Sequence, residues 1–587
     1  MSRRFQSDRS DRSDRSDRSE KTPASRKEWG RNFRVALVYP NSYRVGMANL
    51  GLHALYAAIN GADGMLADRF FVEPGRRGRP LSVERGMPAA EYDLIAFTVH
   101  FEPDYPRIAQ FLATSGLEPL SDLRTDGDPY VIAGGPAPSA NPEPLSAFLD
   151  FVFIGEYEEG GGETVGEIRR LSSLGIPRAD AFAAMSGVPH VYVPALASFS
   201  FEGTQTTSFR YGGTKALPVA AACPGLAGID PPATAIRTDL AEFSDMHLVE
   251  FTRGCLCGCR FCMAGFTARP FRAFDTTRIL AAATRPGAKE KVGAIGELFV
   301  GHPEFARLVR EIDDAGKRVS PSSVRAEYLD RATVDTLARS GMRTLTLAPE
   351  TPSSHLSRAI NKEFDRRRFL DAVENAVSAG IETIKLYFMT GLPGETDDDT
   401  LEISRLAKEV QPIVTKPRKR TRLGVLSLSI GAFVPKPWTP LQWAAMAAPE
   451  VLERRRKLVS GALKGISNVE IRFASTEEAL WEAILARADR RASALILHAA
   501  SVGWRAALRE ALSPLASRLP TTAYSLQPTA CMDFASRSRA PDEVFPWEVV
   551  SHDCSREYLW AEFQKFLRAE PTPFCEPETC RACGACG

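Results

Sequence analysis

The chain lacks an excess of either charge: 73 Lys plus Arg stand against 72 Asp plus Glu, a net charge of +1. That removes any global electrostatic argument for nucleic acid or an anionic surface and leaves only local patches to consider. It also lacks a run approaching the ~20 unbroken apolar residues of a membrane span. The first residues carry no apolar stretch of a secretory signal, so the expected location is the cytoplasm. Hydrophobic residues at 44% and charged residues at 25% exclude a largely disordered chain. A length of 587 residues exceeds one ordinary core, so about two to four domains are expected.

What the sequence does have is grouped cysteine. Of eleven cysteines, seven are spaced as ligands in two sets: Cys255, Cys259 and Cys262, then Cys575, Cys580, Cys583 and Cys586. A secreted disulfide framework would spread them through a small domain, whereas grouping in a large chain indicates metal and a reducing compartment.

Residues 8–19 repeat Asp-Arg-Ser four times inside a polar tail that runs to Arg31. Such a tail cannot bury enough surface to fold, and residues 1–31 are set apart as disordered. From Phe33, short apolar runs alternate with helical patterns: Val35–Tyr39, Leu94–Val99, Tyr130–Ala133 and Phe151–Ile154, with a helix over Leu50–Ile59. These runs predict an α/β fold whose first domain, residues 32–165, is doubly wound and Rossmann-like. Its ligand site is expected at the carboxyl ends of the strands, near Asn41–Gly46 and Gly134–Pro136.

Residues 166–245 read as a helix and a Pro/Gly-rich linker. A second series has strands over Leu248–Thr252, Ala294–Val300, Val319–Arg325, Thr344–Ala348, Thr383–Met389 and Leu426–Phe433. Six such units over 246–445 predict a partial (β/α)6 barrel. Residues 446–530 read as helical and 531–587 as a Cys-rich C-terminal region.

The segment Phe251-Thr-Arg-Gly-Cys-Leu-Cys-Gly-Cys-Arg-Phe-Cys262 follows an apolar strand. With 11 cysteines in 587 residues, a fixed three-position pattern arises by chance only about 0.004 times. Three thiolates spaced C-x3-C-x2-C bind three irons of a 4Fe–4S cluster and leave the fourth open for chemistry. Cys257 has the wrong spacing and reads as a bystander. The competing reading is half of a structural zinc site, completed by two distant residues. The C-terminal set, C-x4-C-x2-C-x2-C, makes a complete four-thiolate shell by itself. It fits a second, fully ligated 4Fe–4S cluster or structural zinc, separable from the first set.

The three-cysteine loop, with Phe261 just before the third cysteine, resembles the signature of the radical S-adenosylmethionine superfamily. Later strand ends, Ser320–Arg325, Leu347–Thr351, Ile384–Thr396 and Phe433–Pro440, are similar to segments lining the cofactor pocket in that family. The resemblance implies a 4Fe–4S cluster on which S-adenosylmethionine is reductively cleaved to a 5′-deoxyadenosyl radical. It also implies a reductant such as flavodoxin or ferredoxin. By the same resemblance, Phe261, Arg325, Glu350 and Lys385 line the cofactor pocket, and Gly391 and Gly394 let backbone approach the nucleoside. The alternative for the charged residues is ion pairing at the rim.

The N-terminal domain resembles the cobalamin-binding module of an uncharacterised branch of that superfamily, through Gly134-Gly135-Pro136, Asn141–Pro144 and Gly155–Glu159. Where the family's cobalt loop has Asp, His and Gly, this chain has Asn41, Tyr43 and Gly46. Either cobalamin binds without a lower protein ligand, or the domain persists as scaffold.

The substrate is not readable from the sequence. Other functions in view are a tRNA methylthiotransferase-like activity, a cobalamin-dependent methyltransferase, and a non-catalytic iron–sulfur or zinc protein. RNA contact would use Lys416–Arg422 and Arg454–Lys457.

Overall fold

The structure is a computed structural model describing residues 27–75, 78–321, 324–416, 423–512 and 531–586. The Asp-Arg-Ser repeats, residues 417–422 of the first basic run, and residues 513–530 of the helical region lie outside the described residues.

Six strands form the first sheet: β1 (Phe33–Tyr39), β2 (Met65–Phe71), β3 (Leu94–Thr98), β4 (Tyr130–Gly134), β5 (Phe151–Phe153) and β6 (Val191–Tyr192). Their spatial order is β2-β1-β3-β4-β5-β6, parallel throughout except for antiparallel β5 and β6. Alternate residues of β1 serve two cores. Val35, Leu37 and Tyr39 pack with Leu52, Tyr56 and Ile59 of helix Leu50–Gly61, while Ala36 and Val38 pack with Ile108 and Phe111 of helix Tyr105–Thr114. Helices on both faces are why these strands read as unbroken apolar runs. The sheet reverses direction between β1 and β3, so a crevice opens at their carboxyl ends. Gly135 follows β4 with φ +107°, and a Cβ there would stand 2.5 Å from the Val99 carbonyl oxygen. No other residue fits that approach.

The expected boundary at residue 165 cuts helix Gly161–Ser173, and β6 extends the sheet to Tyr192. The segment expected as a linker also holds an antiparallel hairpin, β7 (Ala197–Glu202) and β8 (Gln205–Tyr211), then β9 (Val219–Ala220).

The second series contains β10 (Met246–Glu250), β11 (Thr252–Arg253), β12 (Arg272–Ala273), β13 (Lys291–Ile295), β14 (Arg318–Pro321), β15 (Thr344–Glu350), β16 (Thr383–Thr390), β17 (Val425–Ala432) and β18 (Val469–Phe473). Two parallel sheets result, β10-β13-β14 and β15-β16-β17-β18, and among the described residues a bridge between Val324 and Leu347 joins them. Within residues 446–530, read as largely helical, β18 is an edge strand of alternating exposure. Helices Phe305–Asp314, Arg366–Ser378 and Asp397–Thr415 share one core with the strands. On β16, Ile384, Leu386 and Phe388 enter that core, so Lys385, Tyr387 and Met389 fall on the opposite face.

The C-terminal helices pack back onto the first domain. The Asn141 amide donates to the carbonyls of Ala486 and Ala488 at 3.0 and 2.9 Å, and buried Arg490 pairs with Glu143 at 2.7 Å. β19 (Val550–Ser551) pairs with β9. Among the described residues no helix is long and apolar enough to cross a membrane.

Candidate metal centre and active site

The three-cysteine loop is anchored on both sides before it begins. The Phe251 amide donates to Ile295 O at 2.8 Å, and β11 pairs with β12, closing residues 254–271 into an excursion. The Arg253 guanidinium meets Glu250, Glu156 and Glu158 at 2.9, 2.6 and 2.7 Å, and Arg272 adds a second pair to Glu156 at 2.5 Å. The loop's first turn is thereby tied to the N-terminal domain through the segment after β5.

Cys255, Cys259 and Cys262 share one apolar cluster with Cys257, Phe261, Leu298 and Tyr328. Arg325 Nη1 donates to Cys259 Sγ at 3.4 Å. Burial, then the neighbouring Cys259 thiol, pushes the Cys262 thiol up to about 12. Burial also raises Cys259, against the pull of Lys362 and Arg325. A hydrogen bond with Cys257 is the main cause raising Cys255, and the same bond holds Cys257 down. The sequence set Cys257 aside, yet its side chain is fully buried within the cluster. Thiols held neutral in this way must release protons when they take up metal.

The resemblance-derived residues divide. Arg325 reaches the cysteines. Glu350, at the end of β15 with φ +63°, accepts from Lys362 Nζ at 2.9 Å. A non-glycine residue there is strained, and the strain sits beside the cysteine loop. Lys385 Nζ lies 4.8 Å from the centroid of the Tyr387 ring, on the β16 face that also carries Met389. Gly391 and Gly394 form the expected turn, but Gly391 faces its own chain. A Cβ there would meet Leu452 at 2.7 Å, and Glu395 accepts the Gly391 and Leu392 amides while pairing with buried Arg455 at 2.9 Å.

Two cavities, each about 1010 Å³, meet the loop and share Met263 and Ala264 in their linings. One is bounded by Asn41, Asp104, Phe261, Cys262, Met389 and Lys436, where the first domain, the loop, the second series and the C-terminal helices converge. In its wall, Lys436 is shared by Glu102 at 2.7 Å and Glu482 at 2.8 Å. The other runs between helix Leu50–Gly61 and the first sheet, past His100, Gly134, Gly135 and Glu297. Burial pushes the His100 imidazole down to about 4, and its Nδ1 has no partner among the described residues. Glu297, raised to about 7 by burial, accepts the Gly254 amide at 3.1 Å.

The two residues in place of the cobalt loop's Asp and His are engaged within the protein. Tyr43 is buried in the first-domain core, edge-on to Phe71 with ring centroids 5.0 Å apart, and Asn41 donates to Asp104 at 2.9 Å.

The C-terminal cysteines are not separate from the loop. The Cys575 amide donates to Leu256 O at 2.8 Å. Cys583 is held down to about 5 by a hydrogen bond with Cys554 and by Arg269. Cys554 is thus a fifth thiol at this end, which its distance along the chain concealed. Among the described residues, no three His, Cys, Asp or Glu side chains converge to hold a single metal ion.

In the second basic run, Arg454 pairs with Asp397, Arg455 with Glu395 and Arg456 with Glu453. Besides Cys257 and Cys554, sequence reading missed Lys362 and Glu297. Neither lies in a spaced motif, although Gly296-Glu297 directly after an apolar strand was a signal available to it.

Residues 51–194 match the profile of the N-terminal domain of radical SAM proteins, and residues 249–407 match that of the radical SAM superfamily. An uncharacterised protein of Methanocaldococcus jannaschii is 26% identical over 465 residues, covering 78% of this chain and 89% of its own length. A methylthiotransferase candidate from the same archaeon is 26% identical over 166 residues, covering 26% of this chain and 37% of its own. Among solved structures, the radical S-adenosylmethionine methyltransferase TsrM from Kitasatospora setae, with cobalamin and a [4Fe-4S] cluster bound, gives a TM-score of 0.46 at 14% identity. That match covers 71% of this chain and 80% of TsrM. The cobalamin-dependent S-adenosylmethionine radical enzyme OxsB gives 0.42 at 14% identity, covering 66% of this chain and 52% of OxsB. The cysteine loop at the end of β10 lies inside the second matched segment, and this chain is a member of the radical SAM superfamily, carrying the superfamily's N-terminal domain ahead of its radical SAM domain.

Proposed function

We propose that Cys255, Cys259 and Cys262 hold a 4Fe–4S cluster at which S-adenosylmethionine is reductively cleaved, and that the cavity beside Cys262 receives the substrate. The observation that carries this reading is the set of three thiols in one apolar cluster, with Arg325 donating to Cys259 and Cys262 in the wall of that cavity. The donor set fits. A cubane takes one thiolate per iron, so its ligands need not converge on one point as a zinc shell would. When bound, such a cluster together with S-adenosylmethionine supplies one-electron, hydrogen-abstracting chemistry.

The chain's own residues orient and enclose. Arg325 places positive charge against a sulfur that becomes a thiolate. Lys362 fixes the Glu350 carboxylate, leaving the second oxygen of that group for a cofactor amine or hydroxyl. Phe261, Met389 and Phe433 give the cavity an apolar wall that limits water. The two parallel sheets are read as one open barrel whose strand ends bring these groups together. The glycine turn at 391–394 supports the site from outside, braced by Glu395 and Arg455.

The second cavity, at the reversal between β1 and β3, is read as the place of a cobalamin held without a lower protein ligand, or as a relic of one. A Co(II) form lacking axial nitrogen splitting supports the first, and no cobalamin after growth in excess supports the second. Axial nitrogen splitting that is lost on His100→Gln, a substitution in the lining of that cavity, contradicts both.

The C-terminal thiols are read as a second metal site, 4Fe–4S or zinc. Metal analysis after Cys580→Ser and Cys586→Ser distinguishes these by loss of iron or of zinc.

The primary test is anaerobic loading with iron and sulfide, followed by electron paramagnetic resonance of the reduced protein with and without S-adenosylmethionine. A cluster signal that shifts on adding it is expected, and this responsive signal should vanish in the Cys255/Cys259/Cys262 triple Ala variant, whatever signal the C-terminal thiols contribute. A responsive signal that survives the triple variant unchanged contradicts the assignment.

A further inference from the structure

Residues after helix Arg556–Leu567 return to the cysteine loop by hydrogen bonds that are long-range in sequence. Arg260, between Cys259 and Cys262, is fully buried and pairs with Glu562 at 3.0 Å; both side chains are at most 2% exposed. Its Nη1 donates to Ala359 O at 2.7 Å. Its Nη2 donates to Glu570 O at 2.8 Å and to Thr572 Oγ1 at 3.0 Å. Thr572 Oγ1 in turn donates to Glu562 at 2.8 Å. The Thr572 amide donates to Asn361 Oδ1 at 2.8 Å, and Asn361 Nδ2 donates to Cys257 O and Gly258 O at 3.2 and 3.3 Å. Three residues on, the Cys575 amide donates to Leu256 O, and Phe574 lies 6.0 Å from the Arg325 guanidinium carbon.

We infer that the segment Glu570–Cys575 is the outer wall of the three-cysteine site and that Arg260 is its positioning residue. The loop has two sides. Phe261–Ala264 face the cavity where the domains converge, while Leu256 O takes the Cys575 amide and Cys257 O and Gly258 O are linked to the returning chain through Asn361. One buried guanidinium spends its donors on the loop's neighbour Ala359, on Glu562 and on the return segment, so all three move together. A buried charge stripped of part of its partners is costly, which makes the arrangement all-or-none. The consequence is that the cysteine loop is ordered only when the C-terminal segment is seated. The expectation of two separable cysteine sites is then replaced by two sites that share a wall. The hydrogen bonds stand without any metal. Only the consequence for cluster retention rests on the function proposed above.

The test is hydrogen–deuterium exchange on the full metal-free chain, comparing wild type with Arg260→Gln and the milder Thr572→Val. Peptides covering residues 256–262 and 570–575 are expected to exchange together, at least tenfold faster in Arg260→Gln and severalfold faster in Thr572→Val. Peptides from β16 and β17 should be unchanged. If Arg260→Gln also loosens those strands, Thr572→Val decides. Faster exchange in 570–575 with 256–262 unchanged overturns the inference, because the segment is then an appendage. After anaerobic loading with iron and sulfide, Thr572→Val should lose its iron absorbance in air severalfold faster than wild type, and equal rates overturn the inference. If wild type itself takes up no iron, the proposed function fails while the exchange result still decides the wall.

Discussion

At the residue scale, cysteines two positions apart differ in expected role. Alanine at Cys255, Cys259 or Cys262 should each remove the iron signal that responds to S-adenosylmethionine, because each supplies one iron with its only protein ligand. Cys257→Ala should keep it, with reduced thermal stability of about 1 kcal/mol or more from the void left in a fully buried position. Loss of iron in Cys257→Ala would move that residue into the ligand set. A second test concerns Asp104 in the cavity wall, whose carboxyl burial pushes up from 3.8 to about 6, with Arg107 and Asn41 pulling the other way. A raised folded pKa means that its contribution to stability is whole below about pH 3.8 and is lost as pH rises through about 6. Asp104→Asn escapes that loss. Its melting temperature should therefore rise relative to wild type between those limits, by the equivalent of at most about 3 kcal/mol. A pH-independent difference would contradict the burial argument.

At the scale of elements, the turn after β16 and the clamp at Lys436 each carry a prediction. Gly391→Ala forces a Cβ into φ +89° and against Leu452, so a loss of about 1–3 kcal/mol is expected. If instead the turn were an open nucleoside contact, stability would hold while cofactor binding weakened. Lys436→Met leaves Glu102 and Glu482 without their shared cation. Stability should fall by about 3–5 kcal/mol, and less at about pH 5 than at about pH 8, because burial raises the Glu482 carboxyl and lets it take up a proton. Equal losses at both pH values would show the pair to be solvated.

The strands legible in the sequence were those buried on both faces, such as β1 and β3. β2 was not, because Asp68 and Arg69 interrupt its apolar run. Both are buried: Asp68 accepts the Tyr92 hydroxyl at 2.6 Å and pairs with Arg85, and Arg69 pairs with Glu84 at 2.6 Å. Only long-range partners make such a strand possible, and a local pattern does not contain them. β18 escaped for the opposite reason, as a short alternating edge within helical sequence. The cysteine loop was legible because its ligands are local. Lys362 and Glu297 were not, because the fold alone brings them to it, as it brings Cys554 to Cys583.

At the scale of the whole molecule, the modules are locked around the loop by charge. Arg253 and Arg272 bind Glu156 and Glu158 of the first domain, Lys436 binds Glu102, and Arg490 binds Glu143. Each of these ion pairs bridges the first domain to a later part of the chain; Arg253, Glu156 and Glu158 line the cavity against the first sheet, and Lys436 lines the cavity beside Cys262. The most direct test is the yield of 5′-deoxyadenosine from anaerobically loaded protein given S-adenosylmethionine and a strong reductant. The reading predicts formation that requires the reductant and disappears in each of the Cys255→Ala, Cys259→Ala and Cys262→Ala variants. Fully loaded, reduced protein that forms none, or variants that form it at the wild-type rate, would contradict it.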